Sequence, residues 1–420
     1  MKKLFLLISL ASALGSTAQT EIRLMSYNLL NFPTGNLEGR VDTLYNILDY
    51  YRPHLFMIQE LKTAQGLSDV TDRLNDLGYG NFDHGTFVPQ VSSGGGGGFP
   101  LQQNIVFDTN VLRLKSEDYI LTDVRDINEF VLYVNDPLLE SGADTTFLYV
   151  YVTHLKSSEG SENQALRLAM CEDWIAHLEE EVPAGSFTLL AGDYNIYSNT
   201  EPAYQTLMDE DNLIPMADVF DSYGNWSSSN FDHKEILTQS TRQNQIYNDG
   251  AGGGMDDRFD FILLSENMTS ANSILQYEDN SFKSLGNTGA CYNMSITDCD
   301  AANPVPFDIL RSMYYLSDHL PQVCTINFDG NVGIAEQQSS DNNGMVAFVN
   351  SQNYLSLQFD QTLVNTIEIR VSDALGRIVF TDRSNVINRK VETAFSPQHG
   401  MIYFIQVSGE NGIITRKLIY

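Results

Sequence analysis

The stretch Tyr315-Leu316-Ser317-Asp318-His319-Leu320-Pro321 decides how the rest of this chain is interpreted. Asp318 is a candidate metal ligand, and the adjacent His319 titrates near neutral pH. Residues 322–328 follow Pro321 with apolar side chains at alternate positions, which predicts a strand. A lone Asp-His pair is equally typical of a polar loop before a strand. The interpretation therefore depends on whether other predicted strands end in similar residues.

Several other predicted strands do end in acidic, amide or histidine side chains. Apolar or alternating runs predict strands at 21–30, 55–60, 147–155, 187–193 and 258–264. Taken singly, such a polar residue is more often a cap or loop residue than a catalyst. Two packed sheets with helices outside would bring these strand ends to one edge. The residues that would collect there are Asn28, Glu60, His154, Asp193, Asn195, Asp260, Asp318 and His319.

Helices are predicted between these strands by apolar residues at helical spacing. They cover residues 38–51, a segment closing near Leu77, and about 162–181. Further short strands are predicted at 81–87, 104–107, 111–114 and 129–134. This alternation predicts an α/β domain over residues 21–328.

Length, charge and cysteine content limit the class of protein. The 420 residues suit one large and one small domain. With 54 acidic and 24 basic residues the net charge is −30, which disfavours passive, tight binding to phosphate backbones. A bound divalent cation would supply the missing positive charge inside a site. Cys291 and Cys299 flank a short polar loop and are predicted to pair, whereas Cys171 and Cys324 are predicted to be buried.

Both ends of the chain carry further signals. Residues 1–18 have a basic start, a short apolar run and a small-residue cleavage site, which predicts a secretory signal peptide. Residues 329–344 are polar and predict a linker. Short alternating strands at 345–420 predict a small β-sandwich. The glycine run at 94–98 lacks the surroundings of a phosphate-binding loop and predicts a mobile surface loop.

The candidate residues suit hydrolysis of a phosphoester. Asn28, Glu60 and Asp318 offer oxygen ligands for Mg²⁺, Mn²⁺ or Ca²⁺, whereas zinc would require more His or Cys. Asp193 and Asn195, two positions apart, are suited to orienting a nucleophilic water. The remaining candidates are His154 and His319, which would neutralise or protonate phosphoryl oxygens, Lys156, on the same strand face as His154, and Arg258.

Six motifs occur in order along the chain: SYNLLNF, FMIQE, VTHLKSS, LLAGDYN, RFDFILL and LSDHLP. This series resembles the endonuclease/exonuclease/phosphatase superfamily over residues 21–328. The resemblance implies a four-layered α/β sandwich of the DNase I-like type, with the active site at one edge of the two central sheets. It also implies that a divalent cation, Mg²⁺ or Mn²⁺, is required.

The same resemblance implies roles for individual residues. Glu60 would hold the cation with support from Asn28 and Asp318. Asp193 and Asn195 would position or activate the water, and His154 would contact the scissile phosphate. Asp260 would orient His319 as general acid or base. The sequence leaves open which of Asp193 and His319 takes the proton of the water.

The C-terminal segments SDALGRIVF, GMIYFIQV and TRKLIY resemble the type IX secretion sorting domain of Bacteroidetes. The resemblance implies export across the outer membrane by the type IX machinery, followed by release or surface attachment. A carbohydrate-binding or immunoglobulin-like module is the alternative.

Three functions are compatible with these features. The first is a secreted endonuclease of low specificity that cleaves extracellular DNA or RNA. The second is a sphingomyelinase or phospholipase C-type enzyme, or a phosphatase of a soluble phosphoester, from the same superfamily. The third is a surface binding protein with an inactive site, which the presence of all eight edge residues disfavours.

Overall fold

The computed structural model describes residues 20–419 except 35–36, 93–100, 137–138, 140–144, 221–223, 227–228, 230–231, 272, 300–301, 330–344, 350–353, 360–365, 374–376, 388, 399–400 and 410–411. The predicted signal peptide, the glycine run at 94–98 and nearly all of the predicted linker at 329–344 lie outside the described residues.

The strands are β1 (Thr20–Phe32), β2 (Leu55–Leu61), β3 (Phe82–His84), β4 (Gln102–Asp108), β5 (Leu112–Ile120), β6 (Ile127–Val134), β7 (Phe147–His154), β8 (Phe187–Asp193), β9 (Met216–Ala217), β10 (Asp260–Ser265), β11 (Leu275–Tyr277), β12 (Lys283–Ser284), β13 (Gln322–Phe328), β14 (Met345–Val349), β15 (Leu355–Phe359), β16 (Thr366–Asp373), β17 (Ile378–Asn385), β18 (Lys390–Glu392), β19 (Ile402–Gly409) and β20 (Gly412–Ile419). The α-helices are α1 (Arg40–Tyr51), α2 (Ala64–Asp76), α3 (Ser161–Glu181), α4 (Pro202–Leu207) and α5 (Phe307–Leu316).

The first sheet has the strand order β11-β13-β1-β2-β4-β3, with β12 paired to β13. Its centre is β1, which runs parallel to β2 and antiparallel to β13. Both β1 and β2 are buried along most of their length, as expected for strands covered on both faces.

The second sheet has the order β5-β6-β7-β8-β10-β9. Strands β7 and β8 are parallel and connected through α3, while β10 returns antiparallel to β8. Strands β8 and β10 are buried at every position. This continuous burial explains why both sequences read as unbroken apolar runs.

The two sheets pack face to face around one hydrophobic core, with β1, β2 and β4 against β7, β8 and β10. Helices α1, α2 and α5 cover the first sheet, and α3 and α4 lie together outside the second. Trp174 of α3 packs edge-on against Tyr151 of β7, with ring centroids 5.6 Å apart. The predicted four-layered α/β sandwich is therefore confirmed.

The C-terminal region forms two antiparallel sheets, β14-β15-β18 and β17-β16-β19-β20. Their inward side chains form a hydrophobic core separate from that of residues 20–328. The predicted small β-sandwich is thus confirmed. Polar contacts join the two regions, among them Arg389 Nη2 to Glu179 Oε1 at 2.6 Å and Ser270 Oγ to the carbonyl O of Val349 at 3.1 Å.

Some element bounds differ from the sequence predictions. The strand predicted at 111–114 extends to Ile120, and the one predicted at 81–87 is confined to Phe82–His84. Helix α5 was not predicted, although Ile309, Met313 and Leu316 recur at helical spacing on its buried face.

Candidate active site

Three polar side chains lie side by side at the ends of three neighbouring strands of the second sheet. The strand register sets them in this row. His154, at the end of β7, lies opposite Asp193 of β8, and Asp193 lies opposite Asp260 of β10. All three are nearly fully buried. Gly192, with φ of 150°, permits the close pairing, because a Cβ there would lie 1.8 Å from the carbonyl O of Thr153.

His319 reaches this row from the turn between α5 and β13. Its Nδ1 lies 2.7 Å from Asp260 Oδ2, and its Nε2 lies 3.7 Å from Asp193 Oδ2. Ser317 Oγ accepts the backbone N–H of His319 at 3.1 Å and donates to the carbonyl O of Asn28 at 2.7 Å. The turn is thereby tied to the first sheet, so the imidazole is fixed between the two sheets.

Glu60 lies near the end of β2, on the facing edge of the first sheet. Its Oε1 accepts from Asn28 Nδ2 at 3.1 Å, and its Oε2 accepts from the backbone N–H of Asn31 at 2.9 Å. Glu60 and Asn31 have left-handed backbones, with φ of 62° and 58°. Such conformations are strained for residues other than glycine and concentrate at functional sites.

The structure turns the NH₂ group of Asn28, which was predicted as a metal ligand, toward two carboxylates. Its Oδ1 accepts the backbone N–H of Leu30 at 2.9 Å. Its NH₂ group therefore faces the carboxylates of Glu60, at 3.1 Å, and Asp193, at 3.0 Å. A cation would bind the amide oxygen and not the NH₂ group. Asn28 instead positions one carboxylate from each sheet.

Asp318 has one occupied and one available carboxylate oxygen. Oδ2 accepts from the backbone N–H of Ala251 at 2.6 Å and from Gln239 Nε2 at 3.1 Å. Oδ1 is buried and has no hydrogen-bond partner among the described residues. Burial and the Asp318 carboxylate raise the pKa of Glu60.

Glu60 and Asp318 together fit a hard divalent cation. Across the described ranges, no group of three or more His, Cys, Asp or Glu side chains is arranged to hold a metal. Mg²⁺ nevertheless commonly binds through one or two carboxylates and keeps several waters. The unpartnered Oδ1 of Asp318 and the oxygen-only ligand set therefore suit Mg²⁺ or Mn²⁺ better than zinc.

The two active-site histidines have opposite electrostatic surroundings. Burial and the nearby Arg125 lower the pKa of His154 well below its usual value, so His154 is neutral. Burial acts the same way on His319, but the carboxylates of Asp260 and its acidic neighbours outweigh it and raise the pKa of His319.

The donor and acceptor roles of the His319 ring nitrogens depend on its protonation state. Gln239 Nε2 lies 2.7 Å from His319 Nε2. Because the Gln239 amide also donates to Asp318, His319 Nε2 accepts in this arrangement and Nδ1–H donates to Asp260. The acidic neighbours favour the charged imidazole instead. A cation held by the same carboxylates would offset their effect and favour the neutral form.

Asn195 supports Asp193 from the turn after β8. Its backbone N–H and its Nδ2 both donate to Asp193 Oδ1, at 3.1 and 2.8 Å. A left-handed backbone, with φ of 51°, makes this double contact possible. Burial raises the pKa of Asp193 against the opposing effect of His319. The predicted pair is therefore brought together, with Asn195 as the orienting partner.

Lys156 follows β7 and is half-buried beside the row. Its Nζ donates to the carbonyl O of Ser157 at 2.9 Å, and its charge contributes to lowering the pKa of His154. Lys156 therefore lies at the border of the site.

The structure places Arg258, which was predicted to contact substrate, in a buried ion pair. Arg258 is only 1 % exposed, and its two terminal nitrogens donate to the two oxygens of Asp218, each at 2.8 Å. Its guanidinium also packs over the ring of Phe261, 4.1 Å from the centroid. This buried, bidentate ion pair holds the second sheet together and is not presented to a ligand.

Sequence reasoning missed two residues of the site, Arg125 and Gln239. Arg125 Nη1 donates to the carbonyl oxygens of His154 and Leu155, at 3.1 and 2.8 Å, and its charge acts on Glu60 and Asp193. Its position just before the predicted strand at 129–134 is a sequence feature by which Arg125 could have been identified. Gln239 lies in an irregular segment without any periodic pattern.

Cys291 and Cys299 form a disulfide with a Cα–Cα distance of 5.1 Å, as predicted. Cys171 and Cys324 are buried free thiols, also as predicted.

The loop closed by the disulfide packs against residues 239–257, which carry Gln239 and Ala251. The backbone N–H of Met255 donates to the carbonyl O of Met294 at 3.1 Å. Gly254, with φ of 92°, allows this approach, because a Cβ there would lie 2.3 Å from the carbonyl carbon of Asn293. The disulfide loop therefore braces the segment that contacts Asp318 and His319.

Solved structures of similar outline include humanized D. rerio TDP2, with 17% identity, a TM-score of 0.47 and coverage of 73% of this chain and 99% of that one. The human Nocturnin catalytic domain with bound sulfate shares 19% identity, with a TM-score of 0.47 and coverage of 74% and 98%. An endonuclease/exonuclease/phosphatase family protein from Bacteroides thetaiotaomicron shares 14%, with a TM-score of 0.44 and coverage of 74% and 99%. No curated protein matches the chain.

Family assignment rests on the sequence matches. Residues 350–420 match the secretion system C-terminal sorting domain, which marks the chain for export to the cell surface or the extracellular space. None of the helices in the described ranges is long and apolar enough to cross a membrane. Residues 25–319, well over half of the chain and including every residue of the site, match the Endonuclease/Exonuclease/phosphatase family. The chain therefore belongs to the endonuclease/exonuclease/phosphatase family of hydrolases.

Proposed function

We propose that this chain is a secreted, divalent-metal-dependent phosphodiesterase, and specifically an endonuclease of low sequence specificity that cleaves extracellular DNA or RNA. Residues 1–18 would direct it into the secretory route, and residues 345–420 would pass it to the type IX machinery. Residues 329–344 would form the linker between the catalytic and sorting domains.

The observation that carries the proposal is the Asp260–His319 pair beside Asp193. The pair is joined at 2.7 Å, and Asp193 Oδ2 lies 3.7 Å from the other imidazole nitrogen. A carboxylate that fixes one ring nitrogen leaves the other available for proton transfer. Such an arrangement suits activation of a water and does not serve the packing of the core.

Glu60 and Asp318 would hold the cation. When bound, Mg²⁺ or Mn²⁺ would supply positive charge against the phosphoryl oxygens. Asn28 and the backbone of Asn31 keep the Glu60 carboxylate in place.

We assign proton acceptance to His319. Its Nε2 would take the proton of the attacking water, and Asp260 would stabilise the imidazolium that results. Asp193, already fixed by Asn195 and Asn28, would orient the water through Oδ2. This assignment chooses between the two residues that sequence reasoning left open.

Three side chains would contact the phosphate. His154, neutral and buried, would donate a hydrogen bond, and Arg125 and Lys156 would supply positive charge from the same end of β7. Phosphate contacts position a substrate without reading bases, so low sequence specificity is expected.

A substrate panel tests the proposal. Purified enzyme is assayed with Mg²⁺ or Mn²⁺ on plasmid DNA, RNA, sphingomyelin, an inositol polyphosphate and a phosphate monoester, with Glu60→Gln as the blank. We expect DNA or RNA to be cleaved, and Lys156→Ala to weaken that cleavage while sparing bis-nitrophenyl phosphate. Rapid turnover of sphingomyelin or a monoester with intact nucleic acid would replace the nuclease proposal by another phosphoesterase.

A further inference from the structure

The Gln239 side chain lies between two active-site groups that no regular element brings together. Its Nε2 is 3.1 Å from Asp318 Oδ2 and 2.7 Å from His319 Nε2. The first contact is to a proposed cation ligand and the second is to the nitrogen assigned to accept a proton. One amide group therefore contacts both halves of the site.

The backbone fixes the place of this amide. The Gln239 N–H donates to the carbonyl O of Asp257 at 3.1 Å, and the N–H groups of Asp256 and Asp257 donate to the Gln239 carbonyl at 2.8 and 2.9 Å. On either side, Leu320 N–H donates to Thr238 at 2.8 Å, and Thr241 N–H donates to Asp318 at 3.0 Å. These backbone contacts hold the segment in place, so the Gln239 amide can move only by rotation of its side chain.

A water or phosphate that reaches His319 Nε2 must replace the Gln239 amide there. The amide is partly buried, and a donor that loses its partner away from water carries an energetic cost. A phosphoryl oxygen beside the cation is the acceptor that the substrate itself would bring. The same donor can therefore move from His319 in the free enzyme to the phosphate in the complex.

We infer that Gln239 is a substrate-contacting residue: its amide holds His319 Nε2 in the free enzyme and donates to a phosphoryl oxygen of the bound phosphodiester. The inference rests on the proposed phosphodiesterase function. It also accounts for an uncharged donor at this position, since a glutamate there would repel both Asp318 and the phosphate.

Four variants test the inference. Gln239→Leu keeps the approximate size and removes the donor, Gln239→Asn shortens it, and Gln239→Glu replaces it by an anion. Gln243→Leu is the matched control, because Gln243 lies in the same segment but is exposed and donates to the carbonyl O of Asn293 at 2.9 Å. Each variant is assayed for kcat and KM on bis-nitrophenyl phosphate, for inhibition by inorganic phosphate, and for Tm.

We expect Gln239→Leu to lower kcat/KM about 10- to 100-fold, as loss of one donor to a charged group does. Inhibition by inorganic phosphate should weaken in the same variant, which a purely structural role would not cause at unchanged Tm. Gln239→Asn should retain intermediate activity and Gln239→Glu should be the least active. Gln243→Leu should match the wild type within about 2-fold.

Two results would overturn the inference. One is a Gln239→Leu enzyme with wild-type kcat/KM and wild-type inhibition by phosphate. The other is a Gln239→Glu enzyme as active as the wild type, since shape alone would then suffice. If the wild type and Glu60→Gln are equally inactive on every phosphodiester, the proposed function fails instead. Protection of the wild type, but not of Gln239→Leu, by inorganic phosphate in a thermal shift with Mg²⁺ would then still support the contact.

Discussion

The Asp260–His319 pair makes a quantitative prediction about catalysis. Asp260 is 0% and His319 4% exposed, and their 2.7 Å contact lies wholly inside the protein. If Asp260 acts only through His319, then removing Asp260 should matter only while His319 is present. The perturbation is a double-mutant cycle with Asp260→Ala, His319→Ala and the double variant.

The magnitude follows from the geometry. A hydrogen bond to a charged group contributes about 1.5–3 kcal/mol, which is about 10- to 150-fold in rate. We expect Asp260→Ala to lower kcat by this factor. His319→Ala removes the proton acceptor and should lower kcat by about 10²- to 10⁴-fold. The double variant should be within about 3-fold of His319→Ala, because residues that act as a unit are not additive.

The assay is turnover of bis-nitrophenyl phosphate at saturating Mg²⁺, with Tm measured for every variant. Glu129 and His177 provide the matched control, since they form a second carboxylate–histidine pair, at 2.6 Å, away from the site. His177→Ala should leave kcat unchanged. Losses that multiply across the Asp260–His319 cycle would refute the reasoning, as they would show that Asp260 has a role of its own.

Three other predictions concern stability and export. Truncation after Phe328 should leave a folded, active enzyme, because the sorting region has its own core. In the native host the truncated enzyme should be retained in the periplasm. Immunoblots of the medium measure this, and an unchanged amount of enzyme there would contradict a sorting role. Cys291 and Cys299 have a sequence separation of 8, and replacing both by Ser should lower the free energy of unfolding by about 2.5 kcal/mol. Urea titrations measure this free energy, and an unchanged value would show that the loop closes without the bond. Burial alone would raise the pKa of Glu129 and lower the pKa of His177. The contact between the two side chains outweighs burial, so the pKa of Glu129 is lowered and the pKa of His177 is raised. Glu129 therefore stabilises the folded state above its unfolded pKa of about 4.3. His177 stabilises the folded state below its unfolded pKa of about 6.5, and this contribution is lost as pH rises through its higher folded pKa. Glu129→Gln should thus lower Tm more at pH 5.5 than at pH 9, and an equal loss at both would contradict the ion pair.

Local sequence patterns predicted the alternating strands and helices, and the resemblance to the endonuclease/exonuclease/phosphatase superfamily implied the four-layered arrangement. The motifs VTHLKSS and LLAGDYN each end a buried strand on a polar residue, and RFDFILL begins one with Asp260. Strand register then sets His154, Asp193 and Asp260 side by side. The pattern could not show which way an amide faces. The orientation of the Asn28 amide depends on the backbone N–H of Leu30, a contact that only the turn after Asn28 creates.

Long-range partners explain the remaining differences. Arg258 looked available because Asp218, which binds it, lies 40 residues away and outside any motif. Gln239 is placed by hydrogen bonds to residues 256–257 and 318–320, none of which leaves a periodic signal in its own segment. Irregular segments of this kind carry functional residues that strand and helix patterns do not identify.

The central claim is that a divalent cation at Glu60 and Asp318 is required for phosphodiester hydrolysis. The most direct measurement is the initial rate on bis-nitrophenyl phosphate after EDTA treatment and again after addition of excess Mg²⁺ or Mn²⁺, for the wild type and Glu60→Gln. We expect EDTA to abolish wild-type activity, the cation to restore it, and Glu60→Gln to remain lower by orders of magnitude throughout. Full wild-type activity in EDTA, or a Glu60→Gln enzyme as fast as the wild type, would contradict the account.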